Sequence, residues 1–184
     1  MRNVAFDEVL SGYRRTHASL LDVARKTDAA LFNEVRGAAN SIGFNLWHVA
    51  RWDDSLFPGL AQQVPALASK LAPPEQVWTR GALAKAWGMP EQLGAGGAGT
   101  GLPRDDAQGL RLPEPDVVIA YAAEVFEEFS RTLDRLDPAM LALEASPGRT
   151  AGSRVIYYWE HAARHLGMVE ALRGVLGESG SARG

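Results

Sequence analysis

The chain contains no cysteine. Disulfides, thiolate metal ligands and a cysteine nucleophile are all excluded, so any reactive thiol must come from a second molecule. An excess of positive charge is missing too. With 19 Lys and Arg against 22 Asp and Glu the net charge is −3, which leaves no electrostatic footprint for nucleic acid. No apolar run reaches membrane-spanning length, and the opening Met1-Arg2-Asn3-Val4-Ala5-Phe6-Asp7 has no hydrophobic leader segment. A cytoplasmic protein with no membrane partner is the expectation. Strand-type alternation is absent as well. What is present is a 184-residue chain with 46% hydrophobic and 22% charged residues, sized for one globular domain.

Four segments carry helical periodicity. The first runs from about Val4 to Thr27, with Phe6, Leu10, Tyr13, His17, Leu20 and Ala24 four and three apart. The second starts at the capping pair Asn40-Ser41 and runs to about Gln62, burying Ile42, Asn45, Val49, Trp52, Leu56 and Leu60, with His48 at the edge of that face. The third follows Pro113-Glu114-Pro115, with Asp116 as its cap, and reaches Leu136 before Asp137-Pro138. The fourth runs from about Ser153 to Leu176 and stops at Gly177. Between the second and third lies a long crossover, residues 63–115, holding a short helical piece around Gln76 to Trp87. It also holds the glycine-rich stretch Gly94-Ala95-Gly96-Gly97-Ala98-Gly99-Thr100-Gly101. That stretch is a mobile lid or a plain flexible crossover. It is not a phosphate loop, because no strand precedes it and no Lys-Ser or Lys-Thr follows. The pattern predicts an all-α four-helix bundle with one long crossover between helices 2 and 3, spanning 1–178, and a flexible tail at 179–184.

Histidine is scarce, four residues in all, yet His161 and His165 stand one turn apart on the apolar stripe of the last helix. Two neighbouring imidazoles that both charge would repel, and burying either unpaired costs free energy. Either they are ordinary core or surface histidines with hydrogen-bonded neighbours, or a metal ion takes both lone pairs, the reading favoured for a pair on an apolar stripe. His48 can supply a third nitrogen from the second helix, which leaves coordination positions open for water or substrate. The zinc-protease pattern is absent, since Ala162 stands where it needs glutamate, and Glu160 points roughly 100° away from His161. His17 is either a core histidine or a proton shuttle above the metal. Tyr157 and Arg164 flank the pair, and Asn45 lies on the buried side of the second helix; each is a candidate to hold substrate or orient a ligand. Asp53 points away from His48 and is not counted as a ligand. A line of small residues, Ala163, Gly167, Ala171 and Gly174, allows a close helix contact within the bundle or across a homodimer.

Asn40-Ser41-Ile42-Gly43-Phe44-Asn45-Leu46-Trp47-His48-Val49-Ala50, followed far downstream by His161-Ala162-Ala163-Arg164-His165-Leu166-Gly167-Met168, resembles the DinB/YfiT-like superfamily of metal-binding four-helix bundles. That superfamily includes bacillithiol transferases and mycothiol-dependent maleylpyruvate isomerase. The resemblance implies that His48, His161 and His165 are ligands of one divalent ion, zinc or nickel, with water completing the shell. It further implies a transferase or isomerase acting on a small molecule with a low-molecular-weight thiol whose sulfur meets the metal. Two other functions fit the same residues: a metal-binding stress-response or structural module without thiol chemistry, and a metal-dependent hydrolase.

Overall fold

The computed structural model describes residues 4–90 and 92–179. Met1–Asn3, part of the stretch read for a leader, and residues 180–184 of the expected tail lie outside the described residues. The helices are α1 (Val4–Lys26), α2 (Ala29–Phe32), α3 (Ile42–Gln63), α4 (Pro65–Leu71), α5 (Val77–Arg80), α6 (Leu83–Ala86), α7 (Arg104–Gln108), α8 (Pro115–Leu133), α9 (Pro138–Leu141) and α10 (Ala151–Val175). Among the described residues the fold is all-α but for one antiparallel hairpin, β1 (Glu144–Ser146) and β2 (Arg149–Thr150), turned by Pro147 and the positive-φ Gly148. No described helix is long and apolar enough to cross a membrane.

The four long helices coincide with the four periodic segments. Ser41 caps α3 by accepting a hydrogen bond from the Phe44 N–H, as its position before an apolar run requires. The start of α8 differs from expectation. Glu114 occupies the cap, Asp116 lies inside the first turn, and Pro115 at the first helical position leaves one orphan donor fewer to satisfy.

Side-chain pairs fix the directions. Arg14 reaches Ser130 and Asp134 while His17 stacks on Phe126, so α1 and α8 are antiparallel. Trp159 reaches Thr16 and Arg173 reaches the Lys26 carbonyl, so α1 and α10 are parallel. Asn45 meets His165 and His48 meets His161, so α3 and α10 are antiparallel. Apolar residues fill the interior in two clusters, one around Phe44, Trp47 and Trp78, the other around Tyr13, Phe57 and Phe129.

One close approach makes a prediction. A Cβ on Gly12 would stand 2.4 Å from Cζ2 of Trp159, so α1 and α10 meet at a glycine because nothing larger fits. Helix propensity alone favours alanine there by roughly 0.5–1 kcal/mol. Displacing a partly buried indole costs about 1–3 kcal/mol, which exceeds that gain. Gly12→Ala should therefore lower the thermal midpoint, and a calorimetric scan showing a rise would contradict the packing described.

The crossover is more structured than the sequence suggests. The helical piece expected over Gln76 to Trp87 is two separate turns, α5 and α6, broken at Gly81 and at Ala82, whose φ is +48°. The glycine-rich stretch folds into a tight turn. Gly99 N–H donates to the Leu93 carbonyl at 2.7 Å and Ala95 pairs with Thr100. Gly99, at φ +81°, lies so close to Trp47 and Phe44 that a Cβ would stand 2.9 Å and 3.0 Å from their rings. The turn therefore sits directly on α3, and its Ala98 is buried.

Candidate metal centre

Facing sides of α3 and α10 bring three imidazoles together. One ring nitrogen from each of His48, His161 and His165 lies within 4.8 Å of the others. His48 Nε2 and His161 Nε2 are 3.0 Å apart. The Trp52 indole lies flat on the His161 ring, with centroids 4.2 Å apart and planes inclined by 19°.

Two of the three rings have their tautomers set by neighbours. His48 Nδ1 makes a short hydrogen bond to the Ala98 carbonyl. A carbonyl only accepts, so Nδ1 carries the proton and Nε2 presents its lone pair inward. Asn45 donates through Nδ2 to the Ser41 carbonyl at 2.8 Å, which turns its Oδ1 toward His165 Nδ1 at 2.7 Å. His165 therefore donates through Nδ1 and frees its Nε2. His161 has no such support, because its Nδ1 is buried without a hydrogen-bond partner. With its proton on Nδ1, two lone pairs face each other at 3.0 Å; with its proton on Nε2, a buried Nδ1 acceptor is orphaned. Either arrangement leaves a buried polar group unsatisfied, which costs about 1–3 kcal/mol.

A divalent ion relieves that conflict, and the donor set suits one. Nitrogens about 2.0–2.1 Å from a shared ion stand roughly 3 Å apart, the spacing of the His48–His161 pair. Burial lowers the pKa of all three rings. His161 is pushed down to about 3, with help from His165, His48 and Arg164, and His165 to about 4, with help from His48 and Arg164. All three are therefore neutral near pH 7, with lone pairs available.

The remaining candidates separate. Asn45 is at the site, as the orienting partner of His165. His17 is elsewhere in the core: its Nε2 is 2.7 Å from Asp53 Oδ2, Tyr13 donates to Asp53 Oδ1 at 2.7 Å, and its ring stacks on Phe126. That network takes up His17 and gives it no contact with the three imidazoles, so the shuttle role is not supported. Asp53, engaged by His17 and Tyr13, points away from the centre. Arg164 is exposed, and its charge adds to the lowering of the His161 and His165 pKa values.

The apolar stripe of α10 also differs from expectation. Tyr157 is 38% exposed and Met168 50%, whereas Val155, Ala162 and Val169 are buried. The buried face is centred roughly a quarter turn from His161 at about 100° per residue. The histidines thus mark the margin of the core, and the centre lies in the wall of the bundle within reach of solvent. Two participants carry no local sequence signal: the Ala98 carbonyl, which is backbone, and Trp52, read as core filler.

The chain matches the DinB superfamily over residues 6–169. It belongs to the DinB superfamily. DinB proteins are generally metal-binding, and the His48–His161–His165 cluster is a set that could hold an ion. The DinB fold recurs in the crystal structure of a conserved protein from Enterococcus faecalis, with a TM-score of 0.74 and 17% identity, covering 97% of this chain and 99% of that one. At that identity the likeness speaks for the fold alone. No curated protein matches the sequence.

Proposed function

We propose that His48, His161 and His165 bind one zinc or nickel ion and that the protein is a cytoplasmic transferase or isomerase using a low-molecular-weight thiol. The observation that carries the metal is the His161 ring, whose buried Nδ1 has no partner and whose Nε2 stands 3.0 Å from that of His48. The absence of cysteine supports the thiol, because the chain supplies no sulfur nucleophile of its own. When bound, the ion lowers the pKa of an arriving thiol and so provides a thiolate nucleophile near neutral pH. The protein's part is orientation: Ala98 and Asn45 hold the imidazoles of His48 and His165, and Trp52 holds the face of His161. A cleft of about 470 Å³ opens beside His165, with Asn40 and Asn45 on one side and Met168, Ala171 and Leu172 on the other. It offers a small, largely apolar substrate a place against the centre.

Hydrolysis is less well supported. A water nucleophile needs a nearby general base, and the nearest acidic residue along α3, Asp53, is engaged by His17 and Tyr13. The test is a cobalt-substituted sample titrated with bacillithiol, mycothiol and glutathione. Thiol ligation brings a sulfur-to-cobalt absorption band; a spectrum unchanged by all three removes the thiol chemistry and leaves a metal-binding module. Asn45→Ala should lower metal affinity by roughly 10–100-fold, the usual effect of removing the partner that orients a ligand. Competition against a chelating dye reads that change. The homodimer remains part of this reading. A Cβ added to Gly167 or Gly174 would meet nothing within 4 Å, so the small-residue line is open to a second copy.

A further inference from the structure

The last helix carries a cation that the metal centre leaves unused. Arg154 stands seven residues before His161, so it leaves the same side of α10 two turns away, roughly 10 Å along the axis. Its Nε is buried and has no hydrogen-bond partner. It lines a cavity of about 280 Å³ together with Ser55, Gln62, Gln63, Gln76 and Tyr158. Among the described residues no aspartate or glutamate lines that cavity, and every polar group there apart from Arg154 is a neutral amide, hydroxyl or backbone atom. A guanidinium drawn partly out of water without a counter-ion is unfavourable, and an anion that enters the cavity offsets that cost. Arg51 makes the contrast. It also lines a cavity, but Asp54 already neutralises it at 3.2 Å.

A chain of two packed rings links the wall of this cavity to the metal centre. Tyr158 packs on Trp52 with ring centroids 4.9 Å apart, and Trp52 lies on His161. Burial raises the Tyr158 pKa, so its hydroxyl stays protonated, with Ser55 as its side-chain neighbour. We propose that Arg154 is an anion subsite, taking the carboxylate of a small ligand whose other end lies at the three imidazoles. A guanidinium fork matches a carboxylate with two parallel hydrogen bonds, and Tyr158, on the cavity wall, packs on Trp52 in the direction of the imidazoles. The second anchor of that ligand rests on the metal reading above; the carboxylate subsite does not.

Succinate and its thiol analogue mercaptosuccinate, titrated calorimetrically into the wild type, Arg154→Lys and Arg154→Gln, test this. Each protein is titrated zinc-loaded and again after EDTA treatment. The wild type should bind succinate in both states. Arg154→Gln should weaken it roughly ten- to a hundredfold, the loss of a charged hydrogen-bonded pair. Arg154→Lys should fall between, because it keeps the charge without the fork. Equal succinate affinity in wild type and Arg154→Gln overturns the subsite, as does the absence of saturable binding to the wild type. Should succinate depend on Arg154 while mercaptosuccinate binds the zinc-loaded protein no more tightly, the subsite stands and the thiol chemistry falls.

Discussion

If the three imidazoles bind an ion as proposed, His161→Ala should yield a folded protein that no longer retains it. The substitution removes one of three nitrogens and, with it, the ring whose Nε2 approaches His48 Nε2 at 3.0 Å. The loss should exceed the 10–100-fold expected for Asn45→Ala, since that change disturbs only a ligand's orientation. Stability reports the same event. At an ion concentration one hundred times the dissociation constant, binding stabilises the native state by about 2.7 kcal/mol. In a domain of this size that raises the wild-type midpoint by roughly 5–10 °C. The rise should vanish in His161→Ala, whereas the midpoint in chelator should change by only a few degrees, because the substitution also deletes the orphaned Nδ1. Elemental analysis after dialysis, paired with calorimetry, decides it. One tightly held ion per chain in the variant would refute the assignment.

Asp54→Ala should be the most destabilising single change in the crossover's anchorage. The Asp54 carboxylate accepts from the Val77 and Trp78 N–H groups at 2.8 and 2.9 Å, from Arg51 at 3.2 Å and from Tyr121 at 3.2 Å. Burial raises its pKa, and these donors, which favour the charged form, oppose that rise. Alanine leaves Arg51 buried without its counter-ion and uncaps the start of α5. Breaking a buried pair in this way costs about 3–5 kcal/mol, and each kcal/mol is worth roughly 2–4 °C here. A fall of about 10 °C is expected, with a smaller fall in Asp54→Asn, which keeps an acceptor oxygen. Arg51 also donates to the Gly97 carbonyl, next to Ala98, so the same variant should bind metal more weakly. A midpoint within about 2 °C of wild type, less than a single kcal/mol is worth, would show that the crossover is held by other means.

The contrast between these two residues shows what was legible in the sequence. That His161, His165 and His48 would converge could be read, because helical spacing puts the first two on one side of α10 and the third on the facing helix. The long helices could be read for the same reason, since a 3.6-residue period in apolar residues is a direct image of burial. Asp54 was not legible as an anchor. It caps a helix 23 residues downstream, and nothing near it in the chain announces that partner. Ala98 contributes a carbonyl that any residue would carry. The quarter-turn error in the α10 stripe has a related cause. Tyr157 and Met168 are apolar by type, but a bundle helix at the wall of an open cleft exposes such residues where ligand or a partner would meet them.

The hydrogen bond from His48 to Ala98 spans 50 residues of chain, the approach of His48 to His161 spans 113, and the bond from His165 to Asn45 spans 120. No fragment emerging during synthesis contains the complete ligand set until α10 has been made and has docked on α3. On the proposed metal reading, capture of an ion is therefore a late event in maturation, and a chain stalled before α10 has only one imidazole of the three to offer.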